Sequence, residues 1–263
     1  MNLPLSKRSL VILSTGRSGT AFTSKLFCQF GLDVGHETLG EDGISSWYLT
    51  DSDSKVGGVS WHDLKGRNII VGHQLRSPFK TIPSLMTINK SSWLFIRNST
   101  ITSSWDKGLL KRSMRHWLEW NHAAWERADF HWSLEGIQTE MKAFVQTAIP
   151  GIEDQTYNNV VNSFSVPVNS SKSRVLDVSR MLHTSPLIYA RRLRQAFFPI
   201  DLTLEKMHAV DSVLAQEIDA FYTEFKATVR FERGLRESGM LQTKRVTTEL
   251  QPQLNSEDKS VAE

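Results

Sequence analysis

A short polar loop between two apolar segments carries the residues best suited to chemistry. It runs Leu13-Ser-Thr-Gly-Arg-Ser-Gly-Thr20, after an apolar run and before a helical pattern. Gly16 and Gly19 can adopt positive φ and bring the backbone close to a ligand. The amides of residues 18–21 would then point outward at a helix N-terminus, where the helix dipole favours an anion. Arg17 adds a guanidinium group that matches tetrahedral oxyanions, so the loop predicts an anion-binding site.

The loop differs from that of an ATP-hydrolysing protein. A Walker A loop places Lys directly before its final Ser or Thr, whereas this chain has Gly19 there. An Asp that would hold Mg²⁺ at a strand end is also missing, since the nearest candidate is Glu135, after Trp132-Ser-Leu134. A P-loop nucleotide or small-molecule kinase is therefore disfavoured. It stays open as an alternative, as does a non-catalytic nucleotide-binding protein of the same fold.

A second candidate segment begins where another predicted strand ends. Leu75-Arg76-Ser77-Pro78 follows an apolar strand, and Ser84 comes eight residues after Arg76. Ser77 and Pro78 are typical of the N-cap and the first position of a helix. The carboxyl ends of neighbouring parallel strands meet at one edge of an open α/β sheet, so Arg76 and the loop are expected to bind one ligand.

These two segments together resemble the PAPS-dependent sulfotransferases, which use 3′-phosphoadenosine-5′-phosphosulfate (PAPS) as donor. That family places Lys or Arg before Ser-Gly-Thr in the loop that holds the 5′-phosphosulfate, as residues 15–20 do here. It holds the 3′-phosphate with an Arg at a strand end and a Ser eight residues later. The resemblance implies sulfuryl transfer from PAPS to a hydroxyl or amine, a carbohydrate acceptor included, without a metal. The donor-binding residues it implies are Gly16, Arg17, Ser18, Gly19, Thr20, Ala21, Arg76 and Ser84, with Arg17 also catalytic.

The motifs of this resemblance cover residues 9–135. The chain departs from the family pattern in two places, and the second indicates which branch of the family it resembles more. Pro83 lies inside the helix that should present Ser84, where it removes one backbone hydrogen bond and favours a kink. The late Arg-Lys-Gly segment of the phenol and steroid branch has only Lys172 and Arg174 as a counterpart. The chain therefore looks closer to the bacterial, carbohydrate and protein-tyrosine branches.

The acceptor needs a general base, and the end of the second predicted strand offers two candidates. By resemblance to the protein-tyrosine branch Glu37 is preferred, followed by His36. Adjacent strand residues point to opposite faces, so only one of them should face the donor. His73 is a third candidate that is better explained as a core residue, and His62 is expected to be exposed. Trp47 and Trp61 are candidate acceptor contacts, whereas Trp117 and Trp125 fit a core-facing helix stripe.

The segments that position these residues predict an α/β fold. The alternation of elements indicates a three-layer sandwich with a mostly parallel sheet and a P-loop-like strand–loop–helix. Predicted strands cover 10–13, 32–35, 68–75 and 130–134; helices cover 20–30, a segment from Ser77, 110–128, 139–148, 175–182 and 203–228. Residues 38–68 read as a surface excursion and 150–174 as a loop region. One domain is expected over 1–235, with a disordered tail over 236–263.

Composition is that of an ordinary soluble protein. Of 263 residues, 40% are hydrophobic and 22% charged, and the net charge of +3 does not argue for a nucleic-acid partner. The single cysteine, Cys28, excludes an intramolecular disulfide and is expected to be buried. No apolar run is long enough for a signal peptide or a membrane span, which favours a cytoplasmic location. The acceptor and the oligomeric state are not predicted.

Overall fold

The computed structural model describes residues 9–65, 68–164 and 200–238 and has an α/β fold. Five parallel strands form the central sheet: β1 (Ser9–Leu13), β2 (Val34–His36), β3 (Gly43–Ser45), β6 (Ile69–Leu75) and β7 (Phe130–Ser133). A two-stranded antiparallel hairpin, β4 (Lys55–Val56) with β5 (Val59–Ser60), lies outside that sheet. The predicted α/β class with a parallel sheet is confirmed.

Ten α-helices flank the strands within the described residues. They are α1 (Thr20–Gln29), α2 (Trp61–Lys65), α3 (Pro78–Leu85), α4 (Lys90–Asn98), α5 (Leu109–Arg127), α6 (Ile137–Glu140), α7 (Lys142–Ala148), α8 (Asp154–Ser163), α9 (Leu204–His208) and α10 (Ser212–Glu237). Side-chain caps begin several of them, because the first N–H groups of a helix lack partners within it. Asp211, for example, accepts from the Leu214 amide at 3.0 Å at the start of α10.

Both faces of the sheet are buried, and β1 shows how. Leu10 and Ile12 face a core with residues of α1, α7 and α8, whereas Val11 and Leu13 face another with Ala124 of α5. Alternate strand residues point to opposite faces, so a strand covered on both sides reads as a continuous apolar run. Each such side chain contributes about 1.5–3 kcal/mol on burial. The sheet is therefore the middle layer of three.

The strand order determines where a ligand can bind. It is β2-β3-β1-β6-β7, so the chain leaves β1 towards one edge and leaves β6 towards the other. Ligands of open parallel sheets bind at such a switch point, beyond the carboxyl ends of the strands. The crevice beyond Leu13 and Leu75 is that point, and both predicted anion-binding segments begin there.

Several sequence predictions are wrong in their details. Residues 38–68 are not simply a surface excursion, because β3 lies inside the sheet between β1 and β2. The predicted loop at 150–174 contains α8, whose Tyr157 and Val161 are buried against the core. The single predicted helix at 203–228 is two helices, because Asp211 caps a new one.

Cys28 is exposed rather than buried, because it lies on the outer side of α1. The helix predicted for 139–148 is divided into α6 and α7, and α4 was not predicted. Helix α10 continues to Glu237, past the predicted start of the tail. The predicted helix at 175–182, Lys172, Arg174 and residues 239–263 lie outside the described residues.

Candidate functional site

The loop after β1 is held by side chains of β6 and its following residue. The Gln74 Nε2 donates to the Ser18 carbonyl at 2.8 Å, and the Arg76 Nη1 donates to the Arg17 carbonyl at 3.0 Å. Gly19 has φ of 98° and is the N-cap of α1, so the chain turns there into the helix. The first amides of α1 therefore lie just beyond the carboxyl end of β1, a position that suits an anion.

Arg17 and Ser84 meet directly across the crevice beyond β1 and β6. The Arg17 Nε donates a hydrogen bond to the Ser84 Oγ at 2.9 Å. Helix α3 continues through Pro83 to Leu85, so the proline does not turn Ser84 away from the loop. Three residues predicted from two separate motifs, Arg17, Arg76 and Ser84, are thus brought together at the carboxyl ends of β1 and β6.

Arg76 is positioned by Trp117 of α5 and lies near the carboxylate of Glu135. The Trp117 indole N–H donates to the Arg76 carbonyl at 3.1 Å, and Glu135 is a nearby negative charge. Burial lowers the pKa of the Arg76 guanidinium, and the Glu135 charge partly opposes this effect. Glu135 itself accepts from the Ser77 amide at 3.3 Å and lies 3.4 Å from the Lys80 Nζ. This carboxylate therefore anchors the start of α3.

Glu37 lies at the end of β2 in a partly buried position. One carboxylate oxygen accepts a hydrogen bond from the Ser46 hydroxyl, and the other has no hydrogen-bond partner among the described residues. With 22% of the side chain exposed, burial raises the pKa of Glu37 to about 7, despite hydrogen bonds from Ser46 and the Trp47 backbone that lower it. A carboxyl group that titrates near neutral pH is suited to proton transfer.

His36 lies beside Glu37 instead of on the opposite face. The His36 Nδ1 is 3.8 Å from the Glu37 Oε1, and His36 is the more exposed of the two. The expected alternation fails because β2 ends at His36 and Glu37 has a φ of 56°, outside the strand region. The two candidate bases therefore form one pair.

Backbone conformation marks the same site independently. Among the described residues, the two non-glycine residues with positive φ are Arg17, at 68°, and Glu37, at 56°. Left-handed backbone costs an ordinary residue roughly 1–2 kcal/mol and tends to persist at functional sites. These are also the two residues that the sequence selects first for catalysis.

The remaining sequence candidates separate into neighbours of the loop and distant residues. Trp47 is a neighbour, since a Cβ added to Gly16 would lie 3.5 Å from the Trp47 ring. Trp61 instead contacts Arg127 at 5.9 Å, at the far end of α5. His73 is buried in the core, with its Nε2 3.1 Å from Asn121. As expected, His62 is exposed and Trp117 is buried, while Trp125 packs half-buried against the same core.

The sequence alone did not reveal His116. This α5 residue is 2% exposed, and its Nε2 would lie 3.6 Å from a Cβ on Gly16. A histidine within an amphipathic helix gives no local signal, and only the packing of α5 against the loop identifies it. Ser14, Thr15 and Ser18 of the loop also bury hydroxyls that lack a hydrogen-bond partner among the described residues.

Comparisons with family models, with curated proteins and with solved structures find no match for this chain. In the part of the chain that the structure describes, no helix is long and apolar enough to cross a membrane. No group of three or more potential metal ligands occurs among the same residues.

The polar groups at the carboxyl ends of β1 and β6 are of the kind that bind an anion. Arg17 and Arg76 supply two guanidinium groups, and Ser84 supplies a hydroxyl between the loop and α3. In the same loop as Arg17, the buried hydroxyls of Thr15 and Ser18 have no hydrogen-bond partner within the described part of the chain, and an oxyanion bound there would satisfy them. Glu37 follows β2, two strands away from β1 in the sheet, and Trp47 lies between it and the loop, with its backbone hydrogen-bonded to Glu37 and its ring next to Gly16.

Proposed function

We propose that the protein is a sulfotransferase that moves a sulfuryl group from PAPS to an acceptor hydroxyl or amine. The hydrogen bond between Arg17 and Ser84 carries this proposal. PAPS bears a 5′-phosphosulfate and a 3′-phosphate on one ribose, so the residues that bind the two groups must lie side by side. Arg17 belongs to the segment suited to the first group, and Ser84 with Arg76 to the segment suited to the second.

Arg17 and the loop amides would stabilise the charge that grows on the leaving phosphate. Sulfuryl transfer resembles phosphoryl transfer, in which positioning and fixed positive charge supply most of the catalysis. The bond between sulfur and the phosphate oxygen breaks while a bond from sulfur to the acceptor oxygen or nitrogen forms. The second product is adenosine 3′,5′-bisphosphate (PAP).

Glu37 would take the proton that the acceptor loses. Its pKa of about 7 makes it a stronger base than an exposed carboxylate, while half of the population is ionised at neutral pH. Ser46 donates to one of its oxygens, which leaves the other for the acceptor. His36, beside that second oxygen, is the alternative proton acceptor.

The experiment compares binding of PAP and AMP by calorimetry, since the two differ only in the 3′-phosphate. We expect the wild type to bind PAP more tightly than AMP. Arg76→Ala should lower the affinity for PAP by roughly 10- to 100-fold, because a charged hydrogen bond is lost, and should have little effect on the affinity for AMP. Ser84→Ala should remove a smaller part of the preference. Arg230→Ala, an exposed arginine on α10, is the matched control.

Equal affinity of the wild type for PAP and AMP would contradict the proposal. ATP with Mg²⁺ provides the second arm of the same panel. Tighter binding of ATP–Mg²⁺ than of PAP would instead favour the kinase alternative. Release of PAP from PAPS in the presence of candidate acceptors then measures the transfer itself.

A further inference from the structure

His116 is a buried polar residue without a hydrogen-bond partner on either ring nitrogen among the described residues. Its ring is enclosed by aromatic neighbours: the Trp120 ring centroid is 4.3 Å away, that of Trp47 5.9 Å and that of Trp93 6.2 Å. A buried polar group that lacks a partner is costly and needs an explanation. His73, by comparison, keeps one ring nitrogen paired, since its Nε2 lies 3.1 Å from the Asn121 Oδ1, while its Nδ1 lacks a partner among the described residues.

The Nε2 of His116 faces the loop on one particular side. Gly16 has Leu85, Trp47 and the His116 Nε2 as its neighbours, at 3.4, 3.5 and 3.6 Å from an added Cβ. Gly19, at the other end of the loop, faces Leu134 and Gln74 instead. His116 is therefore the polar group opposite Gly16, away from the start of α1.

Trp47 connects the Gly16 side of the loop with Glu37, the candidate base. Trp47 contacts Gly16 with its ring, and its backbone hydrogen-bonds the Glu37 carboxylate. In an in-line displacement the transferred group lies between the leaving phosphate and the nucleophile that the base deprotonates. If the phosphate binds at the loop amides and Glu37 is the base, the transferred group would lie on the Gly16 side of the loop, towards Trp47.

We propose that His116 is a further catalytic residue, whose Nε2–H donates a hydrogen bond to an oxygen of the sulfuryl group during transfer. This inference rests on the proposed function. Burial lowers the pKa of His116 to about 3, so the ring is neutral at pH 7 and presents one N–H. A donor fixed in a buried site needs no reorganisation when charge shifts in the reaction, which is how such groups accelerate transfer.

The experiment uses the full chain and compares PAPS with PAP, which lacks the sulfuryl group. Binding of the two nucleotides can be measured without a known acceptor. We expect His116→Phe to bind PAP within about twofold of the wild type and to bind PAPS about 10-fold more weakly. Release of PAP from PAPS, with water as acceptor, should fall by about 10- to 100-fold. His116→Gln, which can place an amide N–H near the position of Nε2, should recover part of both losses.

A purely structural role predicts the opposite outcome. Phenylalanine suits the aromatic surroundings, so His116→Phe should fold with an unchanged or higher Tm, and a core residue would then show full PAPS affinity and turnover. That result would overturn the inference alone. A wild type that binds neither nucleotide would overturn the proposed function and this inference with it. His122→Phe, an exposed histidine on the same helix, is the control.

A direct readout comes from NMR with ¹⁵N-labelled histidine. PAPS should shift the Nε2 resonance of His116, whereas PAP should leave it nearly unchanged. Equal shifts with both nucleotides would contradict contact with the sulfuryl group.

Discussion

At the scale of single residues, Glu37 combines an unfavourable backbone conformation with an unfavourable charge. Its φ is 56°, and burial raises the pKa of its carboxyl group to about 7. Both features cost folding free energy, and neither improves packing. Residues of this kind are retained where activity needs them, which is the usual trade between stability and function.

We predict that Glu37→Gln is more stable than the wild type at high pH but inactive. In the wild type the folded-state pKa of about 7 exceeds the ordinary value of 4.5, so stability falls as the pH rises from 4.5 through 7. The variant escapes this loss, so urea unfolding above pH 7 should show a gain of up to about 3 kcal/mol. The gain should vanish towards pH 4.5.

Activity should titrate in the same range with the opposite sense. The base works when ionised, so wild-type kcat/KM should rise with pH to a plateau, with its midpoint near 7. Glu41→Gln, at an exposed carboxylate, should change neither profile. An active Glu37→Gln together with a crippled His36→Ala would reverse the assignment of the base.

At the scale of elements, the turn from β1 into α1 depends on Gly19. A Cβ at this position would lie 2.9 Å from the Leu134 Cδ2, and φ is 98°. A Cβ on Gly16 would meet its neighbours at ordinary distances of 3.4 Å or more. The two glycines of one motif therefore differ in what they tolerate.

We predict that Gly19→Ala costs about 1–3 kcal/mol of stability, from the strained backbone and the close contact. The substitution should also lower the affinity for PAP, because the amides at the start of α1 shift. Gly16→Ala should lower the unfolding midpoint in urea only slightly. Equal destabilisation by the two substitutions would contradict this account of the turn.

Elements with a strong local signal could be predicted from the sequence. Strand β1 is an apolar run, β6 begins with one over residues 69–71, and α3 begins at Pro78 as expected. Strand β3 could not be found, because three residues carry no periodicity and its neighbours β1 and β2 come from earlier in the chain. The position of His116 at the loop likewise depends on how α5 packs, which no motif encodes.

At the scale of the whole molecule, three buried histidines lie in the core or beside the loop. Burial lowers the pKa of His73 and His116 to about 3 and that of His131 to about 4. His73 and His131 are neighbours across β6 and β7, with ring centroids 5.7 Å apart. The folded state therefore favours the uncharged form of these three imidazole rings.

We predict a loss of stability as the pH falls below the ordinary histidine value of 6.5. Between 6.5 and the folded-state values the unfolded chain binds protons that the folded chain does not, which costs about 1.4 kcal/mol per pH unit for each histidine. Glu37 opposes this over pH 4.5–7, so the net slope should correspond to about two histidines. Urea unfolding at pH 7, 6 and 5 measures the slope.

The variant His116→Phe provides the control for this slope. On acidification its free energy of unfolding should fall less steeply than that of the wild type, by the contribution of one histidine, about 1.4 kcal/mol per pH unit. A slope unchanged by the substitution would show that His116 is not among the groups that titrate on unfolding.

The position of β1 has a consequence for synthesis of the chain. It is the earliest of the described strands, yet it lies in the middle of the sheet, and its partner residues in β6 come 60 positions later, as with Ser9 and Ile69. At roughly 5–20 residues per second, several seconds pass before that partner is made. During this interval at least the β6-facing edge of this apolar strand is unpaired, even after β3 has been made, so nascent chains should depend on chaperones more than the finished protein does.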